Sequence, residues 1–175
     1  MKNRITYGYL LMFLLIVISC DGIPASEDNN IEHTKKLHAL LNHEIPLITV
    51  RQLKEKLSQN HELILMDTRE PAEFRVSHLK NARHVGYKKF KLESTADIAK
   101  DTPIVVYCSL GVRSEKIGKK LRKAGYKNVT NLFGGLFEWI NRDNPVFDME
   151  KRPTNRIHTY SKKWGKWLLK GEKVY

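Results

Sequence analysis

Residues 103–118 read PIVVYCSLGVRSEKIG. The first five carry no charge and form a run of strand length that does not alternate apolar with polar. Such a strand is buried on both faces, as in a parallel sheet covered by helices. A short loop, CSLGVR, follows. Residues 113–123 then have helical spacing, with Ile117 and Leu121 facing inward and Gly125 as the stop signal. Strand, tight loop and helix in that order are one unit of an α/β fold. Ligands of such sheets bind at the carboxyl ends of the strands, where Cys108 stands.

The pattern repeats on both sides of this unit. PLITV, from residue 46, reads as a short strand, and residues 51–59 as an amphipathic helix with Leu53 and Leu57 at i and i+4. LILM, residues 63–66, is a second strand, and EPAEFRV places a proline near the start of a short helix. ARHV reads as a third strand, and YKKFKLESTADIAK as one or two short helices. NVTNL is a last short strand. GGLFEWINR turns on two glycines into a helix with Leu136, Trp139 and Ile140 on one side. Alternating strands and helices predict an α/β class with a parallel sheet. There is no internal repeat and no glycine-rich phosphate loop.

The loop 108–114 (Cys108, Ser109, Leu110, Gly111, Val112, Arg113, Ser114) is suited to a reactive thiol. A sulfur between strand end and helix start feels the positive end of the helix dipole. Loop N–H groups can curl toward it, and both effects favour the nucleophilic thiolate. Gly111 allows the tight curl. Arg113 adds positive charge and Ser114 a hydroxyl. The plainer reading is a buried structural cysteine, which needs none of these features.

Residues 45 to about 145 resemble the rhodanese homology domain. The resemblance rests on LILMDTREPAEFRVSHL (63–79) and YCSLGVRSEKIGKKLRKAGYKNVTNLFGGLFEW (107–139), in that order. Asp67 and Arg69 match the family's strand-end Asp-x-Arg. Residues 73–82 match its E-F-x-x-G-H-I-x-G-A stretch. Cys108 to Ser114 match its cysteine loop, and Gly134, Gly135 and Trp139 its terminal Gly-Gly-x-x-x-W. The resemblance implies a three-layer α/β sandwich with a central five-stranded parallel sheet. It also implies two-step covalent sulfur transfer with no metal or organic cofactor. Cys108 takes sulfur from thiosulfate or a persulfide, which could be another protein's. A thiol or cyanide then removes it. The loop amides would hold the anion, and Arg113 would hold the loop and attract anionic donors. Four residues separate Cys108 from Arg113. Related phosphatases and arsenate reductases have one more, which widens the cradle for a tetrahedral oxyanion, so sulfur transfer ranks above both. The alternative is a non-catalytic binding module on the same fold. Ser77 and Asn81 stand where the family has glycines, and Leu110 stands where many members are polar. Asp67 and Arg69 read as a supporting ion pair, His78 as part of a structural turn, and Phe137 and Trp139 as core or pocket rim.

The ends carry a second set of expectations. Lys2 and Arg4 precede a 14-residue apolar run, residues 5–18, too short to span a bilayer comfortably. VISC, residues 17–20, resembles a bacterial lipobox. Residues 1–19 are therefore read as a signal peptide and Cys20 as the lipidated first residue of an exported, membrane-anchored chain. Residues 20–44 read as a polar tether with a short helix near 31–41, and residues 45–146 as the domain. His33, His38 and His43 recur every five residues, which does not keep them on one helical face, and no metal site is read from them. Lys and Arg outnumber Asp and Glu by 31 to 19, a formal charge of +12. Residues 151–175 hold eight of the basic residues against one acid, Glu172. In the tail, residues 147–175, Tyr160, Trp164, Trp167 and Leu168 interleave with lysines. They could dock on the domain, the favoured reading, or lie at the membrane interface. A nucleic-acid partner is not expected of an exported protein.

Overall fold

The computed structural model describes residues 31–59 and 62–175. The signal segment and Cys20 lie outside the described residues. In chain order the main elements are α1 (Ile31–Ala39), β1 (Leu47–Ile48), α2 (Val50–Gln59), β2 (Ile64–Asp67), α3 (Pro71–Val76) and β3 (Arg83–His84). They continue with β4 (Ile104–Tyr107), α4 (Val112–Lys123), β5 (Val129–Leu132) and α5 (Gly135–Asn141). Residues read as one or two short helices hold a single 3-10 turn, Leu92–Thr95.

Five strands form one parallel sheet in the order β1-β5-β4-β2-β3. Its two faces follow from the period of two along each strand. Val105 and Tyr107 of β4 point into one core with Leu53 of α2 and Leu136 and Phe137 of α5. Ile104 and Val106 point into the other core with Ile117 and Leu121 of α4. Helices thus cover both faces, and the expected three-layer sandwich is the fold. The crossover leaving β2 runs to β3, and the one leaving β4 runs to β5 on the other side. Connections that diverge in this way open a crevice between β2 and β4 at their carboxyl ends.

Segments on both sides of the domain pack on it, the first against expectation and the second as the favoured reading had it. In the stretch read as a tether, α1 forms and buries Leu37, with Leu41 just beyond it. Backbone N–H groups of Asn42 and Glu44 donate to the buried carboxylate of Glu115 on α4, both at 2.9 Å. At the other end, β6 (Val146–Phe147) pairs with β7 (Pro153–Thr154), and β8 (Arg156–His158) with β9 (Glu172–Val174). Between the last pair, α6 (Lys162–Gly165) carries Trp164. Ile157 and Leu168 are buried in the core, with Trp164 and Trp167 packed against it. Asn141 Nδ2 donates to the Trp167 carbonyl at 2.9 Å and its Oδ1 accepts the Leu169 N–H at 2.8 Å. The tail therefore docks while its lysines stay at the surface.

Candidate active site

Cys108 follows the central strand and is only 2 % exposed, at the floor of a cleft of about 210 Å3. Gly111, at φ +107°, turns the loop so that its N–H donates to Cys108 Sγ at 3.1 Å. An amide aimed at sulfur stabilises negative charge there. The loop is held from below by α5. The N–H of Leu136 donates to the Cys108 carbonyl at 2.8 Å, and that of Phe137 to the Ser109 carbonyl at 3.1 Å. Gly135, at φ +58°, lets α5 come this close.

Of the predicted loop residues, Cys108, Ser109, Leu110, Val112 and Arg113 line the cleft. Ser114 does not. It is buried, and its Oγ hydrogen-bonds Asn131 Oδ1 at 2.7 Å, while Asn131 Nδ2 donates to the Gly111 carbonyl at 3.0 Å. Ser114 thus braces the loop against β5. Asp67 and Arg69 are wholly buried and paired at 2.7 Å, and Arg69 also donates to the Ser77 carbonyl. They brace the crevice without lining it. His78 stacks on Phe74 and exchanges backbone hydrogen bonds with Phe147, so it belongs to a structural turn. Asn81 occupies the left-handed region at φ +59° that the family's glycine would fill. Ser77 is extended at φ −166°, which any residue adopts.

Arg113 has a partner that the sequence reading did not assign it. Its Nη1 and Nη2 each donate at 2.7 Å to the carboxylate of Glu73, which is 1 % exposed. The same carboxylate accepts the Ser109 hydroxyl at 3.2 Å and the Glu70 N–H at 3.0 Å. Arg113 holds the loop, as expected, and its charge is matched by Glu73 at the cleft wall. Burial opposes charge on both partners. For Glu73 the Arg113 hydrogen bonds and charge prevail and hold the carboxyl below its ordinary range. For Arg113, Glu73 and Cys108 beside it prevail and raise it. The sequence alone assigns no role to Glu73, Asn131 or Gly135; for Glu73 the signal available there is a carboxylate within the 73–82 motif.

The pair has a pH signature. Glu73 is depressed in the fold, and a glutamate in the unfolded chain titrates near ~4.3. The stabilisation is therefore complete above that value and is lost as pH falls through the lower folded value. Glu73→Gln is expected to cost about 2 kcal/mol at pH 7, because Arg113 keeps some access to water. The difference from wild type should shrink on acidification. Urea titrations across the acid range check this, and a difference constant with pH would refute it.

A nearly buried cysteine with the Gly111 amide directed at its sulfur, at the carboxyl end of a parallel α/β sheet, is an arrangement suited to cysteine-based group transfer. Residues 49–142, more than half of the chain, match the family described as Rhodanese-like domain. The chain belongs to the rhodanese-like family. It is 37 % identical over 100 residues to the thiosulfate sulfurtransferase GlpE of Haemophilus influenzae, covering 57 % of this chain and 91 % of that one. It is 31 % identical over 99 residues to the probable adenylyltransferase/sulfurtransferase MoeZ of Mycobacterium tuberculosis, covering 56 % of this chain and 25 % of that longer protein. The structure of a thiosulfate sulfurtransferase from Pseudomonas aeruginosa matches with a TM-score of 0.55 at 30 % identity, over 59 % of this chain and 20 % of that one. Sulfur transfer is thus supported at the level of the family.

Proposed function

We propose that this chain is a sulfurtransferase with Cys108 as sulfur carrier. The observation that carries the reading is the Gly111 amide directed at Cys108 Sγ on the cleft floor. Cys108 thiolate attacks the outer sulfur of thiosulfate or a persulfide. The Cys108 S–S bond forms as the donor's S–S bond breaks, and sulfite or a thiolate leaves. Cyanide or an acceptor thiolate then attacks the outer sulfur of the Cys108 persulfide, giving thiocyanate or a new persulfide and restoring Cys108. No net oxidant or reductant is consumed. We also propose export and lipid anchoring through Cys20, on the strength of the basic start, short apolar run and VISC sequence.

Intact-mass measurement on the full-length chain made in a bacterium tests both. Incubation with thiosulfate or an alkyl persulfide should add one sulfur, removed by cyanide or a thiol, and Cys108→Ser should gain none. No addition to folded wild type with a free thiol refutes sulfur transfer. The same spectrum reads the N-terminus. A mature chain starting at lipidated Cys20 supports the anchor, and one retaining Met1 refutes it.

A further inference from the structure

We propose that the docked C-terminal segment forms a wall of the reaction cleft that selects a small organic persulfide of low charge over thiosulfate. Tyr160 and Trp164 are its specificity-determining side chains. The inference rests on sulfur transfer at Cys108 and deepens it by naming the donor class.

Tyr160 and Trp164 lie outside the family match, yet both line the cleft that ends at Cys108. They face Tyr87, Leu110 and Val112, so most of the wall is apolar. The segment is anchored on either side by buried Ile157 and Leu168. Within it the Thr159 N–H donates to the Val174 carbonyl at 2.9 Å, and the Tyr160 N–H to His158 Nδ1 at 3.0 Å. Tyr160 is held at φ +65°, a costly backbone for a bulky residue, and its ring lies 5.6 Å from Arg113 Cζ. An aromatic ring thus stands beside the loop arginine, where an anionic donor would otherwise approach.

Charge balance at the cleft points the same way. Arg113 is matched by Glu73, and the remaining charged lining residues are Glu70 and Lys88, of opposite sign. Lys163 lies 5.5 Å from the Trp164 ring but does not line the cleft. A thiosulfate dianion entering here would lose its hydration without a net cation to replace it. A persulfide RSSH carries its reactive sulfur on an uncharged body, and sulfur packs well against aromatic rings. Cys108 thiolate attacks the terminal sulfur, the Cys108 S–S bond forms, the donor's RS–SH sulfur–sulfur bond breaks, and RS⁻ leaves to take up a proton. The cleft holds about seven waters' worth of liquid volume, room for a short alkyl body.

The test compares rates of Cys108 persulfide formation from a short alkyl persulfide and from thiosulfate, on the full-length chain, by stopped reaction and intact mass. Tyr160 is 53 % exposed, so its replacement does not threaten the core. Tyr160→Lys should shift the persulfide-to-thiosulfate ratio of rate constants about tenfold toward thiosulfate. Tyr160→Ala should shift it the same way, but less. Trp164→Ala should also shift the ratio toward thiosulfate, and Trp164→Phe, which keeps an aromatic wall, should shift it less. A ratio unmoved by both Tyr160 variants overturns the selectivity inference and leaves sulfur transfer standing. No persulfide from either donor in wild type overturns both.

Discussion

Asp67→Ala is expected to destabilise the fold by about 3–5 kcal/mol, the usual cost of stranding one partner of a buried ion pair. Both side chains of the Asp67–Arg69 pair are fully buried. Arg69 meets Asp67 through Nε at 3.0 Å and Nη2 at 2.7 Å, and Asp67 Oδ1 also accepts the Arg69 N–H at 2.8 Å. Burial opposes charge on Arg69, and Asp67 more than offsets it, so the arginine's pKa is raised. Without the carboxylate the guanidinium keeps its charge in the core, with the Ser77 carbonyl as its remaining hydrogen-bond partner among the described residues. Replacing both residues, as Asp67→Leu with Arg69→Met, should recover much of the loss, since two charges leave the core together. Urea denaturation of both variants decides this. A double variant as unstable as the single would mean that the backbone contacts, not the charge balance, set the cost.

Gly135→Ala is expected to slow sulfur transfer about 10²-fold with a smaller loss of stability. A Cβ there would lie 2.4 Å from the Cys108 carbonyl oxygen and 2.8 Å from Ser109 C, both backbone atoms. The left-handed backbone adds about 1–2 kcal/mol of conformational strain. Relief requires α5 and the cysteine loop to separate, which moves Sγ from its cradle. Displacements near 1 Å commonly cost about 10²-fold in rate. Gly125→Ala is the control. Gly125 is also left-handed, at φ +92°, but nothing lies within 4 Å of its added Cβ. It should lose comparable stability and no activity. Equal activity losses at the two positions would show that helix-end strain, not the collision with the loop, is responsible.

The place of the Cys108 thiol was legible because its signals are local. An unbroken apolar run, a glycine-bearing loop and a helical stretch lie within 103–123, and each depends on neighbours a few residues away. Glu73 was not legible as the partner of Arg113, because the two lie 40 residues apart and meet only when β2 and β4 pair. Arg113 consequently read as an open cation. The tail was legible as basic and aromatic, but its composition suits either a protein core or a membrane interface. Leu37 and Leu41 were likewise hidden in a polar stretch, where two leucines four apart are too few to announce a packed helix.

The sequence alone determined the class of fold, the position of the thiol and the tightness of its loop, since local backbone preference and hydrophobic period set these. Only the tertiary structure decided the strand order, the neutralisation of Arg113 by Glu73 and the docking of Tyr160 and Trp164 beside Cys108. The reason is that strands apolar on both faces carry no mark of their lateral neighbours. Which distant charge or ring meets the site is settled when the whole sheet closes.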